Sequence, residues 1–258
     1  MKSDGNSTEK AIPTNLRLLL LLEELARIGT PTTPTAANEV LGLPKPTIHR
    51  LFHTLEQEGF LQRDIDGRSY SPAPRLRNFA VSVLSSSRVR MVRKAVLEAL
   101  ARDVGETCAI VMPEKHAMVR LDRVETHRPL RIQLPQDYKM PFHTSASGKL
   151  YLSSLTARLF GKYIRATTLE AHTPYTLTNP DALTSEIVET LARGYGTNNQ
   201  EYTEGMVAIA VPLLDKQDRL ISTLSIQAPI QRTNLEELIS HLPRLKTAAA
   251  ELTELVLN

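Results

Sequence analysis

The sequence predicts an α+β protein in two parts, an N-terminal winged helix-turn-helix and a C-terminal α/β domain with an antiparallel sheet, joined by a linker helix. Three observations lead to this fold class. Within residues 15–72, three helical patterns separated by short turns precede a two-stranded pattern. A serine-rich helical stretch follows. From Thr107 onward, short β-rich runs, helices, two further strands and a last helix succeed one another, an order typical of an α+β domain.

The composition is that of a globular chain able to bury a sizeable core. Of 258 residues, 41% are hydrophobic and 23% are charged. No window of 18 uncharged apolar residues occurs and the N-terminus has no apolar leader, so we expect a cytoplasmic protein without a membrane partner. Cys108 is the only cysteine, which argues against a disulfide framework and a cysteine-ligated zinc site.

Positive charge is concentrated in one stretch of the chain. The net charge is only +3, but residues 45–94 contain ten Lys or Arg and four Asp or Glu, a local excess of +6 that leaves −3 for the remainder. This asymmetry indicates an anionic partner for one part of the molecule.

The first two helices are delimited by their capping residues. Residues 1–13 are polar and predict a disordered tail. Asn15 predicts the N-cap of a first helix that ends at Gly29. Thr33 followed by Pro34 predicts the N-cap and the first residue of a short second helix.

The third helix and the strands after it complete the winged-helix pattern. Pro44 and Pro46 precede an apolar-periodic run and indicate a helix start, because the first turn has N–H groups without intrahelical partners. Gly59 predicts the C-cap. The segment FLQRDIDGRSYSP then alternates about Asp66-Gly67, the signal of a hairpin.

The second part of the chain begins with the predicted linker helix at residues 75–88, and a long helix then ends at Gly105. The runs CAIVM, AMVRLDRV and LRIQL predict strands. VAIAVPLLDKQDRLISTLSIQ predicts two strands around a polar loop, and an amphipathic helix is expected from about residue 234 to 257. The predicted domains are 1–13 (tail), 14–74 (winged helix-turn-helix), 75–88 (linker helix) and 89–258 (C-terminal domain).

Several motifs in order carry a family likeness. LGLPKPTIHRLFHTLEQEGFLQRD, ALARDVGETCAIVM, MPFHTSASGKLYLSSL, LARGYGTNNQEYTEGMVAIAVPLLD and LISTLSI together resemble the IclR family of bacterial transcriptional regulators. The resemblance runs from about Leu16 through nearly the whole chain. It implies DNA binding by the winged helix, dimerisation through the linker helix, and a GAF-like C-terminal domain that binds a small organic acid. Homodimers or homotetramers that bind a palindromic double-stranded operator are expected.

The third helix provides most candidates for DNA contact. One face is apolar and the other is left for the major groove. The buried set is Ile48, Leu51, Phe52 and Leu55, and the candidates for bases and phosphates are Lys45, Thr47, His49, Arg50, His53 and Thr54. Arg50 is our choice for a bidentate contact to guanine. One of the two wing arginines, Arg63 or Arg68, is expected on a phosphate.

Simpler roles compete with these assignments. His49 or His53 could instead pack against the first helix, and Arg50 could form a surface salt bridge to Glu56 or Glu58. Asp64 and Asp66 partly cancel the wing arginines, so the sequence leaves open which of the two contacts phosphate.

The segment HTSASGKLYL predicts a carboxylate site. Small residues before a helix leave several backbone N–H groups near the positive end of its dipole, although this is also an ordinary capping sequence. The family resemblance strengthens the prediction and implies effector-binding positions at Met140, Ala146, Ser147, Asn198, Met206, Ala208, Ala210, Ser225 and Gln227. Arg131 and His143 could add charge or be structural.

The chain departs from the family pattern at this site. The family often has an acidic residue where Asn198 and Asn199 stand, and a cysteine or other polar residue where Ala208 and Ala210 stand. A larger, more apolar pocket favours an aromatic or otherwise bulky carboxylate over a two- or three-carbon keto acid.

Enzyme chemistry has no support in the sequence. HExxH, GxSxG and GxGxxG are absent, and Gly148-Lys149 lacks the remainder of a phosphate-binding loop, so we expect no catalytic residue, metal or cofactor. Two alternatives stay open: a two-domain winged-helix enzyme acting on a small carboxylate, and a winged helix used for protein contacts.

Overall fold

A computed structural model describes residues 12–64, 66–84, 87–114, 116–131 and 139–257. The contacts of these residues form two compact units that divide between residues 86 and 87. Because the description begins at residue 12, most of the predicted tail at residues 1–13 lies outside the described residues. The finer limits predicted at residues 74 and 88 stay predictions.

The first unit has the predicted order of three helices, a hairpin and a further helix. Its elements are α1 (Arg17–Ile28), α2 (Pro34–Leu41), α3 (Lys45–Gln57), β1 (Leu61–Arg63), β2 (Tyr70–Pro72) and α4 (Pro74–Leu84). β1 and β2 pair in antiparallel register, with Leu61 opposite Pro72. The core between the helices is apolar, and Phe52 at its centre meets the Tyr70 ring edge-on with centroids 5.0 Å apart.

Two helix ends of this unit follow the predicted capping chemistry. The Thr33 hydroxyl accepts a hydrogen bond from the Ala36 amide, as predicted. Gly59 has φ +72°, and the Phe60 amide donates to the Leu55 carbonyl at 2.8 Å, which caps α3 with a Schellman motif.

The predicted N-cap at Asn15 is wrong. Leu16 occupies that position in a helical conformation, and no side chain caps the helix. The chain enters α1 through a turn in which the Leu16 amide donates to the Pro13 carbonyl at 3.0 Å, so Asn15 lies within that turn.

The second unit is a six-stranded antiparallel sheet with helices on both faces. Its strands are β3 (Thr107–Glu114), β4 (Ala117–Val124), β5 (Lys139–Pro141), β6 (Gly196–Asn199), β7 (Met206–Leu214) and β8 (Leu220–Pro229). Its helices are α5 (Ser87–Val104), α6 (Ala146–Ser153), α7 (Ala157–Ala166), α8 (Pro180–Arg193), α9 (Leu235–Ile239) and α10 (Leu242–Leu257). The strand order is β5-β4-β3-β8-β7-β6.

Alternation along the strands divides the side chains between two layers. On one face, Val207, Ile209 and Ile226 pack with residues of α5 and α10 in the largest apolar cluster. On the other face, which we call the α6 face, Ala208 and Ala210 pack against α6.

Two elements of this unit differ from the predictions. The described part of the predicted strand LRIQL, residues 130 and 131, is not in a strand, and its remainder lies outside the described residues. The predicted final helix is broken into α9 and α10. Pro243 lacks an N–H and cannot continue an α-helix through this point, so it opens a new helix in its first turn.

Two glycines bring α6 close to its neighbours. A Cβ added at Gly196 would collide with the Ala146 carbonyl, and one at Gly148 would collide with the backbone of Phe142. The helix therefore lies directly on β6 and on the 3₁₀ turn at residues 142–144.

A buried ion-pair network fixes α6 further. Lys149 is fully buried, and its Nζ lies 2.8 Å from Glu201 Oε1 and 3.0 Å from Glu186 Oε1. Glu186 also accepts from Arg193 at 2.7 Å. Burial raises the pKa of Glu201 against the opposing effect of Lys149. Burial also acts on Glu186, but Lys149 and Arg193 outweigh it and hold the pKa of that carboxyl below its usual value.

We expect Lys149→Met to destabilise the protein by about 3–5 kcal/mol, because it leaves the buried Glu201 carboxylate without its cation, whereas Glu186 keeps Arg193. The measurement is the free energy of unfolding from urea denaturation. Lys162→Met, on exposed α7 surface, is the matched control and should change stability by less than about 0.5 kcal/mol. Equal effects of the two substitutions would contradict the role given to the network.

Candidate DNA interface and effector site

The exposed face of α3 presents the predicted DNA candidates together. Ile48, Phe52 and Leu55 are buried in the core. On the opposite face the side chains are exposed at Lys45, His49, Arg50, His53 and Thr54, and partly exposed at Thr47. Neither histidine is buried against α1. The row runs from residue 45 to residue 54 and so includes the N-terminal part of α3, which a recognition helix presents to bases.

The acidic residues at the end of α3 are paired elsewhere. Glu56 Oε1 lies 2.8 Å from Arg63 Nε, and Glu58 Oε2 lies 2.9 Å from Arg75 NH1. Arg50 makes no hydrogen bond or ion pair with any described residue. The alternative of a salt bridge from Arg50 to Glu56 or Glu58 is therefore not what the structure shows.

The two wing arginines differ in their surroundings. Arg63 binds Glu56, and its guanidinium carbon lies 5.3 Å from the centre of the Tyr70 ring. Arg68 is exposed beside the turn, and its guanidinium makes no hydrogen bond or ion pair with a described residue. Hydrogen bonds from the Ser69 hydroxyl and from backbone amides of the turn lower the pKa of Asp66 to about 2, which keeps that carboxylate ionised and the turn ordered.

One contact that the sequence analysis missed fixes the start of α4. Arg75 NH1 donates to the Glu58 carbonyl at 2.8 Å and lies beside its carboxylate, and the guanidinium carbon lies 4.5 Å from the centre of the Phe60 ring. The first turn of α4 is thus attached to the end of α3. A lone arginine after a proline offers no sequence signal for such a contact.

The sheet register brings most of the predicted effector residues onto one face. Asn198 is opposite Ala208, and Ala208 is opposite Gln227. Ala210 is opposite Ser225 in the adjacent row. Directly opposed residues of antiparallel strands point to the same side, so all five lie on the α6 face.

The first turn of α6 forms the wall of the candidate effector site that faces these sheet residues. The Ser145 hydroxyl accepts from the Gly148 amide at 3.0 Å, whereas the amides of Ala146 and Ser147 have no intrahelical acceptor. Ala146 belongs to the same buried cluster as Ala208 and Ala210. Two backbone donors and the positive end of the helix dipole therefore lie against the sheet residues.

Several polar groups of this site already have internal partners. The Thr223 hydroxyl donates to Ser147 Oγ at 2.8 Å, and Ser225 Oγ donates to the Ala109 carbonyl at 3.2 Å. Asn198 Oδ1 accepts from the Glu201 amide at 3.0 Å. These bonds orient the side chains, and the Asn198 NH2 group makes no hydrogen bond with a described residue.

The remaining candidates lie farther from this cluster. Met206 is buried at the start of β7. Met140 pairs with Met118 near the opposite edge of the sheet and packs on the α6 face. Arg131 binds Glu125 at 3.1 Å. His143 is buried with Nε2 3.1 Å from the Glu170 carbonyl, and burial lowers its pKa.

Other site types find little support among the described residues. No described helix is long and apolar enough to cross a membrane. In the same part of the chain, no group of three or more His, Cys, Asp or Glu side chains is arranged to hold a metal ion.

Comparison with known proteins agrees with this architecture. Residues 16–64 match the IclR helix-turn-helix domain, and residues 81–254 match the family described as bacterial transcriptional regulator IclR C-terminal. The "Probable transcriptional regulator SauR" of Cupriavidus necator is 36% identical over 93% of this chain and 95% of its own length.

Two solved structures share the fold. The IclR protein of Thermotoga maritima has a TM-score of 0.61 at 23% identity, covering 93% of this chain and 97% of that one. The inducer-binding domain of the PobR transcription factor from Acinetobacter, in complex with 3-hydroxybenzoic acid, has a TM-score of 0.57 at 27% identity. It covers 63% of this chain and 96% of that one. This chain belongs to the IclR family of bacterial transcriptional regulators, with a helix-turn-helix domain and an effector-binding domain, and it is not an enzyme.

Proposed function

We propose that this chain regulates transcription in the cytoplasm by binding a palindromic double-stranded operator as a homodimer or homotetramer, and that a small organic carboxylate bound on the α6 face alters this binding. The observation that carries the proposal is the exposed row of α3, in which Arg50 has no partner among the described residues. A guanidinium in this position suits guanine in the major groove.

The ion pairs around the recognition helix support DNA as the partner. Arg63 and Arg75 pair with Glu56 and Glu58, so two carboxylates at the end of α3 that would repel phosphate are each neutralised by a cation. We assign Lys45 and Thr47 in the first turn to phosphate, and Arg50, His49, His53 and Thr54 to bases and the groove walls. In the wing, Arg68 is our choice for the phosphate contact, since Arg63 is already held by Glu56.

Exposed apolar residues on α4 support assembly with a second copy. Phe79 is 61% exposed and Val83 is 52% exposed, and residues four apart lie on one side of a helix. We assign this side of the linker helix to the contact between two chains. Paired winged helices would then read two half-sites about one helical turn apart.

The α6 face supports a carboxylate with an apolar body. The amides of Ala146 and Ser147 suit the carboxylate oxygens, and Asn198 and Gln227 add side-chain donors. Met206, Ala208 and Ala210 provide small or flexible apolar surface. The similarity to a domain solved with 3-hydroxybenzoic acid favours an aromatic acid.

The effector and the operator must shift the same equilibrium between two conformations of the protein. If the carboxylate weakens or strengthens operator binding, the operator must change the carboxylate affinity by the same factor. The linker helix is the element that we propose to differ between the two states, since Arg75 fixes its start to the winged helix. Equal carboxylate affinity in free and operator-bound protein would contradict this mechanism.

The first test is operator binding by Arg50→Gln, measured by electrophoretic mobility shift on the DNA upstream of the chain's own gene. Loss of one bidentate base contact should weaken specific binding about 5- to 150-fold and leave non-specific binding nearly unchanged. Arg158→Gln, an exposed arginine on α7, is the charge-matched control. Absence of any shift by the unmodified protein at low salt would instead favour a protein-interaction role for the winged helix.

The second test compares Arg68→Gln with Arg63→Gln in the wing. Removing a phosphate contact should reduce the slope of log K against log salt concentration by about one, and it should weaken binding to all DNA sequences alike. We expect this change for Arg68→Gln. A larger change in salt dependence for Arg63→Gln than for Arg68→Gln would reverse the assignment.

The third test is Gln227→Leu, which keeps the side-chain volume and removes a polar group from the α6 face. We expect a loss of affinity of about 10- to 150-fold for the carboxylate found by a thermal-shift screen of organic acids, because a hydrogen bond to a charged group contributes about 1.5–3 kcal/mol. Operator affinity without ligand should stay unchanged. A normal carboxylate response in this variant would remove Gln227 from the site.

A further inference from the structure

A second cavity lies in the C-terminal unit, apart from the α6-face site. It has a volume of about 670 Å³ and opens between α5 and the end of β4. Of the residues considered for the effector, only Arg131 lines it. We call it the β4 cleft and define it by the charged residues among its lining, Lys94, Glu98, Arg102, Arg123, Glu125 and Arg131.

Positive charge exceeds negative charge in the β4 cleft. Lys94, Glu98 and Arg102 lie four residues apart along α5, so their side chains form one row along the helix. The four cations meet two carboxylates, which leaves a formal charge of +2. Such a concave, cationic surface attracts small anions.

One carboxylate serves two guanidinium groups. Glu125 Oε1 lies 3.1 Å from Arg123 NH2, and Glu125 Oε2 lies 3.1 Å from Arg131 Nε. The Arg123 side chain is only 8% exposed. Burial lowers the pKa of Arg123, Glu125 opposes that effect, and the like charge of Arg131 adds to it. A further anion beside Arg123 and Arg131 would therefore reduce repulsion inside a partly desolvated site.

We propose that the β4 cleft is a second ligand site of this domain, which binds a small polyvalent oxyanion bearing several carboxylate or phosphate oxygens. Guanidinium groups bind such oxygens in bidentate fashion. The volume lies within the range of small-molecule sites, and the charged lining suits a compact anion rather than an aromatic body. The site itself does not depend on the proposed function, whereas any effect on transcription does.

The position of the cleft gives it a regulatory consequence. α5 begins at residue 87, where the chain enters the C-terminal unit from α4. An anion held between Arg102 on α5 and Arg123 on β4 joins the helix to the sheet. We expect occupancy to change the effector response of the operator complex.

The experiment titrates the full-length chain with citrate and with inorganic phosphate at constant ionic strength, with chloride as the reference. Isothermal calorimetry and the melting temperature are the readouts. We expect one of the two anions to bind and to raise the melting temperature. Citrate alone would identify a polycarboxylate site and phosphate alone a phosphate site.

Two variants locate the binding. Arg123→Gln and the rim variant Arg102→Gln should each lower the affinity for the anion at least tenfold. Arg158→Gln on α7 should leave that affinity unchanged. Because Arg102 is exposed, its loss leaves folding intact even if Arg123→Gln unfolds the domain. Absence of binding by both anions at 10 mM (on the order of ten times a weak metabolite Kd), or undiminished binding in Arg102→Gln, would overturn the proposal.

A further measurement separates this proposal from the proposed function. Arg102→Gln should keep both operator binding and the thermal response to an aromatic carboxylate on the α6 face. If the unmodified chain failed to bind an operator, the anion titrations would still decide the β4 cleft. If neither anion bound but the aromatic carboxylate still changed operator binding, only the proposal for the β4 cleft would be contradicted.

Discussion

Burial of α6 against the sheet is the constraint on which the C-terminal unit depends. Gly148 and Gly196 leave no room for side chains at the contact, so the helix lies directly on β6. This approach takes Lys149 fully out of solvent, which is tolerable only because Glu186 and Glu201 meet its charge. The first turn of the same helix carries the Ala146 and Ser147 amides, which have no intrahelical acceptor, and Ala146 packs in one cluster with Ala208. The contacts that stabilise the helix therefore also preorganise the proposed carboxylate site.

In the first unit, two ion pairs both connect secondary-structure elements and neutralise carboxylates at the end of α3. Arg63 joins the hairpin to α3 through Glu56, and Arg75 joins α4 to α3 through Glu58. Surface ion pairs of this kind contribute little stability each. Their larger effect is electrostatic, because each pair neutralises a carboxylate at the end of α3, the helix that carries Arg50.

Local signals predicted most of the fold, and the failures have local physical causes. Gly59, Thr33 and the Asp66-Gly67 turn act through backbone geometry within a few residues, so the sequence was sufficient for them. Asn15 failed because a turn at Pro13 had already arranged the helix start. The burial of Lys149 could not be read from SGKL, since a lysine is almost never fully buried and its partners lie 37 and 52 positions away.

The two proposed ligand sites must act on the winged helix by different routes. A carboxylate on the α6 face contacts β7, β8 and the start of α6, so its effect has to pass through the sheet before it reaches α5 on the other face. An anion in the β4 cleft would contact α5 directly, through the cations Lys94 and Arg102. Because α5 follows α4 in the chain, the second route needs no displacement of the sheet. The affinity for one ligand should therefore depend on the other only if both ligands change the position of α5. For this reason, the α4–α5 segment is the element whose two states have to be identified.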